Sequence, residues 1–294
     1  MTRSKPEKVF AVFNYALLIL VAASCVLPFV NVIAISLSEN SAVAANYVKL
    51  WPVKFTPYAY HYVITKAQFW KSFMISVQRV LLGLAINMLL IILSAYPLSK
   101  EGIRFKARTP YVWFFFFTML FSGGLIPMYA LVSKLKLLGS IWVLILPGAL
   151  PVFNMILMLN FFRQIPREME EAAFIDGADH FTVLFRIFLP CSLPSIATIA
   201  LFTIVGHWNA WFDGLIYMRT AEMYPLQSYL QTVIIGLDFS KQSSISGNYT
   251  YLKFLSDRTL KAAQIVIAVI PVLMIYPFLQ RYFVTGIVLG SVKG

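Results

Sequence analysis

The chain has 294 residues, is 60% hydrophobic and only 12% charged, and has a mean hydropathy of +0.77. Soluble domains run about 45–50% apolar, so this composition excludes a soluble globular protein and identifies an integral membrane one. A net charge of +12 would point a soluble chain toward nucleic acid. Here the basic residues flank apolar stretches, so membrane lipid headgroups and orientation account for them and no nucleic-acid partner is expected.

A helix needs about 20 apolar residues to cross roughly 30 Å of hydrocarbon. Six stretches meet that need, at about residues 9–38, 80–99, 109–133, 137–162, 190–212 and 262–281. The expected fold is all-α, a single membrane domain over residues 1–294 with six transmembrane helices. The first stretch is too long for the apolar region of a secretory signal, which runs about 7–15 residues, so it reads as a retained helix. Arg79 stands just before the second and is expected to snorkel to the outer interface rather than face the bundle interior. Lys100, Arg104, Lys106 and Arg108 form the densest basic cluster and place that loop and the N-terminus in the cytoplasm. With six spans, loop 163–189 and the C-terminus then also lie inside, and segments 39–79 and 213–261 lie outside. The third stretch carries Ser122-Gly123-Gly124 and Pro127, and the fourth Pro147-Gly148, Pro151, Asn154 and Asn160. Broken backbone at membrane depth is tolerated only where protein or a wet cavity satisfies it, although Gly and Pro are also simply commoner in membrane helices. Taken together, these breaks favour a transporter core. Cys25 and Cys191 sit in or beside apolar stretches, so neither a disulfide framework nor a metal site is expected.

Five of the twelve acidic residues, Glu168, Glu170, Glu171, Asp176 and Asp179, fall between the fourth and fifth stretches. Pro166 can open a helix over about 166–176, with the glutamates near the positive end of its dipole. Gly177 frees the chain to turn and Asp179 can cap a second helix with Thr182 in its first turn. Phe181, Leu184, Phe185 and Phe188 then recur at helical spacing and predict one apolar face, before Leu189-Pro190 opens the fifth span. Small residues at Ala172, Ala173, Gly177 and Ala178 admit another backbone closely, and the acids offer pairing to a basic partner. The stretch reads as a docking knob or as an ordinary loop packed on its own protein.

The run Glu171-Ala172-Ala173, Asp176-Gly177-Ala178, then Ile187 and Leu189-Pro190 resembles, position for position, the EAA loop of permease subunits of ABC importers. The similarity extends to WNAWFDGLIYM at 208–218 and to the ending YFVTGIVLGSVKG, both like elements of the carbohydrate-importer branch. By resemblance the chain is a second, maltose-type permease with the type I ABC importer fold, nearest the complex-oligosaccharide subgroup. That implies a multi-pass protein of the bacterial cytoplasmic (inner) membrane, a pore-forming subunit and not an enzyme. Implied partners are a homologous permease in a heterodimer, a cytoplasmic ATP-binding dimer, and an extracytoplasmic solute-binding protein that delivers an oligosaccharide. Glu171, Ala172, Ala173, Asp176, Gly177, Ala178, Leu189 and Pro190 would couple to the ATPase, with Gly177 as the bend of the lever. The chain has no GxxxxGK[ST] loop, so it binds no cofactor itself, and ATP and magnesium belong to the partner.

A substrate path is expected among Asn154, His207, Trp208, Asn209, Trp211 and Asp213. Aromatic rings can cover the apolar face of a sugar while Asn and His meet its hydroxyls, although interfacial aromatics and an interhelical Asn occur in any membrane protein. Asp213-Gly214 stand where the family usually has Pro-Leu, which argues against a simple maltose-like site. Basic residues dominate the outer segments, with Lys49, Lys54, Lys66 and Lys71 in one and Arg219, Lys241, Lys253, Arg258 and Lys261 in the other. They would either steer an acidic oligosaccharide or bind lipid. The alternative, an ion-coupled secondary transporter, needs buried titratable groups that the spans lack apart from His207. A membrane enzyme finds no HExxH, no paired carboxylates in a span and no Ser/His/Asp spacing.

Overall fold

A computed structural model describes residues 5–100, 105–232 and 257–290. Arg104, Lys241, Lys253 and the last four residues of the C-terminal signature lie outside them. Among the described residues the regular secondary structure is helical apart from one isolated bridge, Ser38 to Phe55. In chain order the helices are α1 (Lys5–Ser36), α2 (Asn40–Ala44), α3 (Tyr58–Ile64), α4 (Ala67–Ser99), α5 (Arg108–Leu120), α6 (Leu125–Lys134), α7 (Val152–Phe162), α8 (Arg167–Ile175), α9 (His180–Val183), α10 (Leu189–Cys191), α11 (Leu193–Asn209), α12 (Phe212–Tyr217) and α13 (Asp257–Gly290). Short 3-10 turns occupy Ile141–Leu144, Leu146–Gly148 and Ala221–Met223, a π turn occupies Leu184–Phe188, and residues 226–232 are helical.

Among the described residues, three helices are long and apolar enough to cross a membrane alone, over Phe10–Ser36, Ala67–Ser99 and Arg258–Ile275. Three bent pairs reach the same length: α5 with α6 at 110°, Ile141–Gly148 with α7 at 51°, and His180–Cys191 with α11 at 82°. The first two breaks fall at Ser122-Gly123-Gly124 and at Pro147-Gly148 with Pro151, where the chain lacks side-chain bulk or a backbone donor. Helix α4 starts well before residue 80, running straight through Arg79. A charge ends an apolar stretch in the sequence, but it does not end a helix in which that charge is neutralised.

Contacts group the chain into two compact units, Met1–Trp70 with Leu230–Ile270, and Lys71–Tyr229 with Pro271–Gly294. In the first, α1 is uncharged and almost wholly exposed over residues 10–30, the surface of a helix that lipid would cover. Its C-terminal end is tied down locally. Ser38 Oγ donates to Ala34 O at 2.6 Å and accepts from Val53 N–H at 3.0 Å, while Ser36 Oγ meets Tyr60 Oη at 2.6 Å. Lys54 bonds Glu39 at 3.0 Å and holds its carboxyl below the usual carboxylate range.

The second unit has a core read directly from helical spacing. Ile91, Ala95 and Leu98 on α4 and Met155, Met158, Leu159 and Phe162 on α7 are buried together with Val183, Leu184, Phe188 and Ile199, at the i, i+3, i+4, i+7 positions that share one helix face. Tyr96, Phe162 and Phe188 meet edge to face, with centroids 5.1 to 6.4 Å apart, the arrangement the ring quadrupoles favour. Truncating Phe162, which is only 2% exposed, removes the middle of this triangle. Phe162→Ala is expected to cost about 3–5 kcal/mol, read as a lowered thermal unfolding midpoint of the detergent-solubilised protein.

Candidate functional site

The acidic stretch forms two helices joined by a tight turn. Pro166 immediately precedes α8, where its missing N–H costs nothing. The helix ends in a Schellman motif: Ala178 N–H donates to Ala173 O at 2.9 Å and Gly177 N–H to Phe174 O at 3.1 Å. Gly177 has φ +84° and open space around it, so glycine is required here for its backbone conformation alone. Asp179 caps the next helix, its Oδ1 accepting Thr182 N–H at 2.9 Å. The hydrogen bonds from Thr182 hold its carboxyl below the usual range.

The acids separate by face. Glu168, Glu171 and Asp176 are exposed together with Ala172 and Gly177, and Pro190 is exposed too. Ala173, Ala178 and Leu189 pack half-buried against the core. Glu170 alone turns inward, 5% exposed, and pairs at 2.9 Å with Lys100, just past the end of α4. The ammonium lies 3.9 Å from the ring centroids of both Tyr96 and Phe188, so cation–π attraction adds to the ion pair. Tyr96 Oη meets His180 Nδ1 at 3.3 Å. Arg108 Nε donates to Leu98 O at 2.9 Å, satisfying one of the carbonyls that a helix end leaves open. The predicted single apolar face of the second helix is not what forms. Leu184 and Phe188 are buried, but Phe181 and Phe185 are 64% and 55% exposed, because the π turn at Leu184–Phe188 breaks the 3.6-residue repeat on which that reading rests.

A second constellation surrounds a cavity of about 290 Å³. Three residues from the expected substrate path, Asn154, His207 and Asp213, line it. Trp208 is instead buried edge to face on Phe73, centroids 5.9 Å apart, Asn209 is exposed, and Trp211 rests edge to face on Phe212. Arg79, Asn87, Thr203 and Tyr217 join the lining without having been expected there. Arg79 does not snorkel. It is 3% exposed and grips Asp213 with both terminal nitrogens, Nη1 reaching Oδ1 at 3.0 Å and Ala210 O at 3.2 Å. A counter-charge within reach is worth more to a buried guanidinium than a distant interface. Asn87, with its amide oriented to satisfy both ends, accepts from His207 Nε2 at 3.2 Å and donates to Ala149 O at 3.2 Å and Gly83 O at 3.0 Å. The broken segment around Pro147 and Gly148 thus lines a polar cavity, and one of its free carbonyls is met by a side chain. The signal for Arg79 lay in the sequence, since a cation beside one span and an acid at the end of another are natural partners.

The model for binding-protein-dependent transport system inner membrane components matches residues 88–288. The chain belongs to this family. The polygalacturonan/rhamnogalacturonan transport system permease protein YtcP of Bacillus subtilis is 40% identical over 98% of this chain and 99% of its own length. Protein LplC of the same organism is also 40% identical, over 100% and 98%. A crystal structure of a bacterial ABC transporter involved in import of the acidic polysaccharide alginate contains a chain that matches with TM-score 0.83 at 30% identity, covering 96% of this chain and 99% of that one. The resemblance read from the EAAxxDGA run is therefore borne out: this is an all-α ABC importer permease, a transport component and not an enzyme.

Two outcomes follow for the permease. Lys100→Met or Glu170→Gln, each leaving one buried charge unpaired, is expected to cost about 3–5 kcal/mol, with the double substitution costing less than the sum; thermal unfolding of the purified protein reads this. At Gly83 a Cβ would fall 2.4 Å from His207 Nε2. Gly83→Ala is expected to push His207 off Asn87 and impair uptake in proteoliposomes while size-exclusion behaviour is kept.

Proposed function

We propose that this permease forms one half of a heterodimeric pore in the bacterial cytoplasmic membrane, with both termini inside, and imports an acidic oligosaccharide. A homologous permease supplies the other half. A separate cytoplasmic dimer binds ATP and magnesium, and an extracytoplasmic binding protein delivers the cargo. The observation that carries this reading is the helix-turn-helix at 167–191, fastened to the core by Glu170 and presenting Glu171, Ala172 and Asp176 outward. Such a segment can transmit a push, because its inner face is locked and its outer face is open to a partner.

The exposed acids and Ala172 suit a cleft with basic rims, and Gly177 sets the angle at which α8 meets the next helix. Supporting an acidic cargo are the buried arginine of the cavity, the acidic polymers named for YtcP and for the alginate transporter, and the basic outer segments. Some outer lysines are engaged locally, Lys54 with Glu39 and Lys66 over the Tyr62 ring, and therefore contribute less to steering.

The test is co-purification and cargo-stimulated ATP hydrolysis of the reconstituted complex. Glu171→Lys reverses a charge at the outer face. Gly177→Pro demands φ near −65° where the chain needs +84° and removes the N–H that bonds Phe174 O. Both variants are expected to assemble poorly or to hydrolyse ATP without responding to loaded binding protein. Unchanged assembly and stimulation in both would show that the loop only packs and would overturn the coupling role.

A further inference from the structure

The cavity beside α11 is built around a charge that cannot be left bare. Arg79 is 3% exposed, and the several kcal/mol needed to bury an uncompensated ion forbid it to stand without a carboxylate. Its two terminal nitrogens hold Asp213, and its Nε, buried, has no hydrogen-bond partner among the described residues. The Thr203 hydroxyl on the same wall is also buried without a hydrogen-bond partner among the described residues, and the Asn154 amide lines the same cavity. The wall thus offers hydrogen-bonding capacity that the protein does not use.

The two members of the ion pair are not equivalent. Asp213 is 26% exposed at its side chain against 3% for Arg79, and its Oδ1 also accepts the N–H of Gly214 at 2.9 Å. If the guanidinium releases it, the aspartate keeps a donor and reaches water, whereas the arginine keeps only the Ala210 carbonyl. Only another anion can take the place of Asp213, because a sugar hydroxyl brings no charge. A uronic acid carries a carboxylate on its ring, planar and two-oxygened like the side chain it would replace.

We propose that Arg79 reads the carboxylate of an acidic sugar residue during passage, and that Asp213 occupies its place until cargo arrives. This deepens the acidic-oligosaccharide reading and rests on it. The exchange trades one ion pair for another, so the buried charge is never exposed alone, and the departing Asp213 moves toward water. Asn154 and Thr203 meet ring hydroxyls. A neutral oligosaccharide of the same size cannot displace Asp213 and meets a closed pair.

The test is equilibrium dialysis of the purified importer complex, without binding protein, against radiolabelled trigalacturonate and against its neutral methyl ester. Wild type is expected to bind the acid at least about tenfold more tightly than the ester, the scale of losing a buried charge partner. Arg79→Gln combined with Asp213→Asn, which leaves no lone charge, should bring that ratio close to one. Arg79→Lys, which keeps the charge beside Asp213 but not the two-nitrogen grip, should lower the ratio, and it decides the matter if the double variant does not assemble. Equal binding of acid and ester by wild type, or an unchanged ratio in the variants, overturns the inference. If loaded binding protein still stimulates ATP hydrolysis in that case, the importer reading stands without it. If no oligosaccharide stimulates hydrolysis, both readings fall.

Discussion

A charge taken out of water must bring a counter-charge with it, and the second unit is arranged around that constraint. Lys100 sits at the end of α4 with its side chain 9% exposed, and Glu170 of α8 meets it. The ring faces of Tyr96 and Phe188 complete the surroundings of the ammonium. Those rings also pack on Phe162, so one ion pair joins the acidic loop, α4 and α7. The loop can be short, polar and mostly exposed and still hold one position, because its single buried acid has one place to go.

The same constraint acts again inside α4, at Arg79. Arg79 and Lys100 are separated by a helical rise of about 30 Å at 1.5 Å per residue, close to the thickness of a hydrocarbon core. Between them α4 is free of charged residues and contributes Ile91 and Ala95 to the core. Each border of this uncharged stretch is therefore fixed by an ion pair to a distant part of the chain. Lys100 ties it to the loop, and Arg79 ties it to the bend that follows α11.

Irregular backbone serves the same unit in a different way. The segment through Pro147, Gly148 and Pro151 gives up regular helical bonds, lines the polar cavity, and recovers one bond through Asn87 to Ala149 O. Asn87 in turn orients His207, which packs so closely on Gly83 that a side chain there would displace the imidazole. Close approach at a glycine, a satisfied carbonyl and an oriented imidazole are one arrangement, and a change at any of them is felt at the others.

The sequence by itself determined whatever depends on neighbours a few residues away. Composition fixed the solvent as lipid, and Pro166, Gly177 and Asp179 set the start, turn and cap of the acidic stretch, each through a bond spanning at most five residues. The resemblance carried by Glu171-Ala172-Ala173 and Asp176-Gly177-Ala178 named the family for the same reason, since that run is written in consecutive residues of one short helix and its turn. Only the tertiary structure decided that Glu170, chemically identical to Glu168 and Glu171, is the acid that turns inward. It also decided that Phe181 and Phe185 face outward past a π turn, that Arg79 finds Asp213 across 134 positions, and that Asn87 finds His207 across 120. Those pairings depend on which helices pack together, and no local rule of propensity or spacing carries that information.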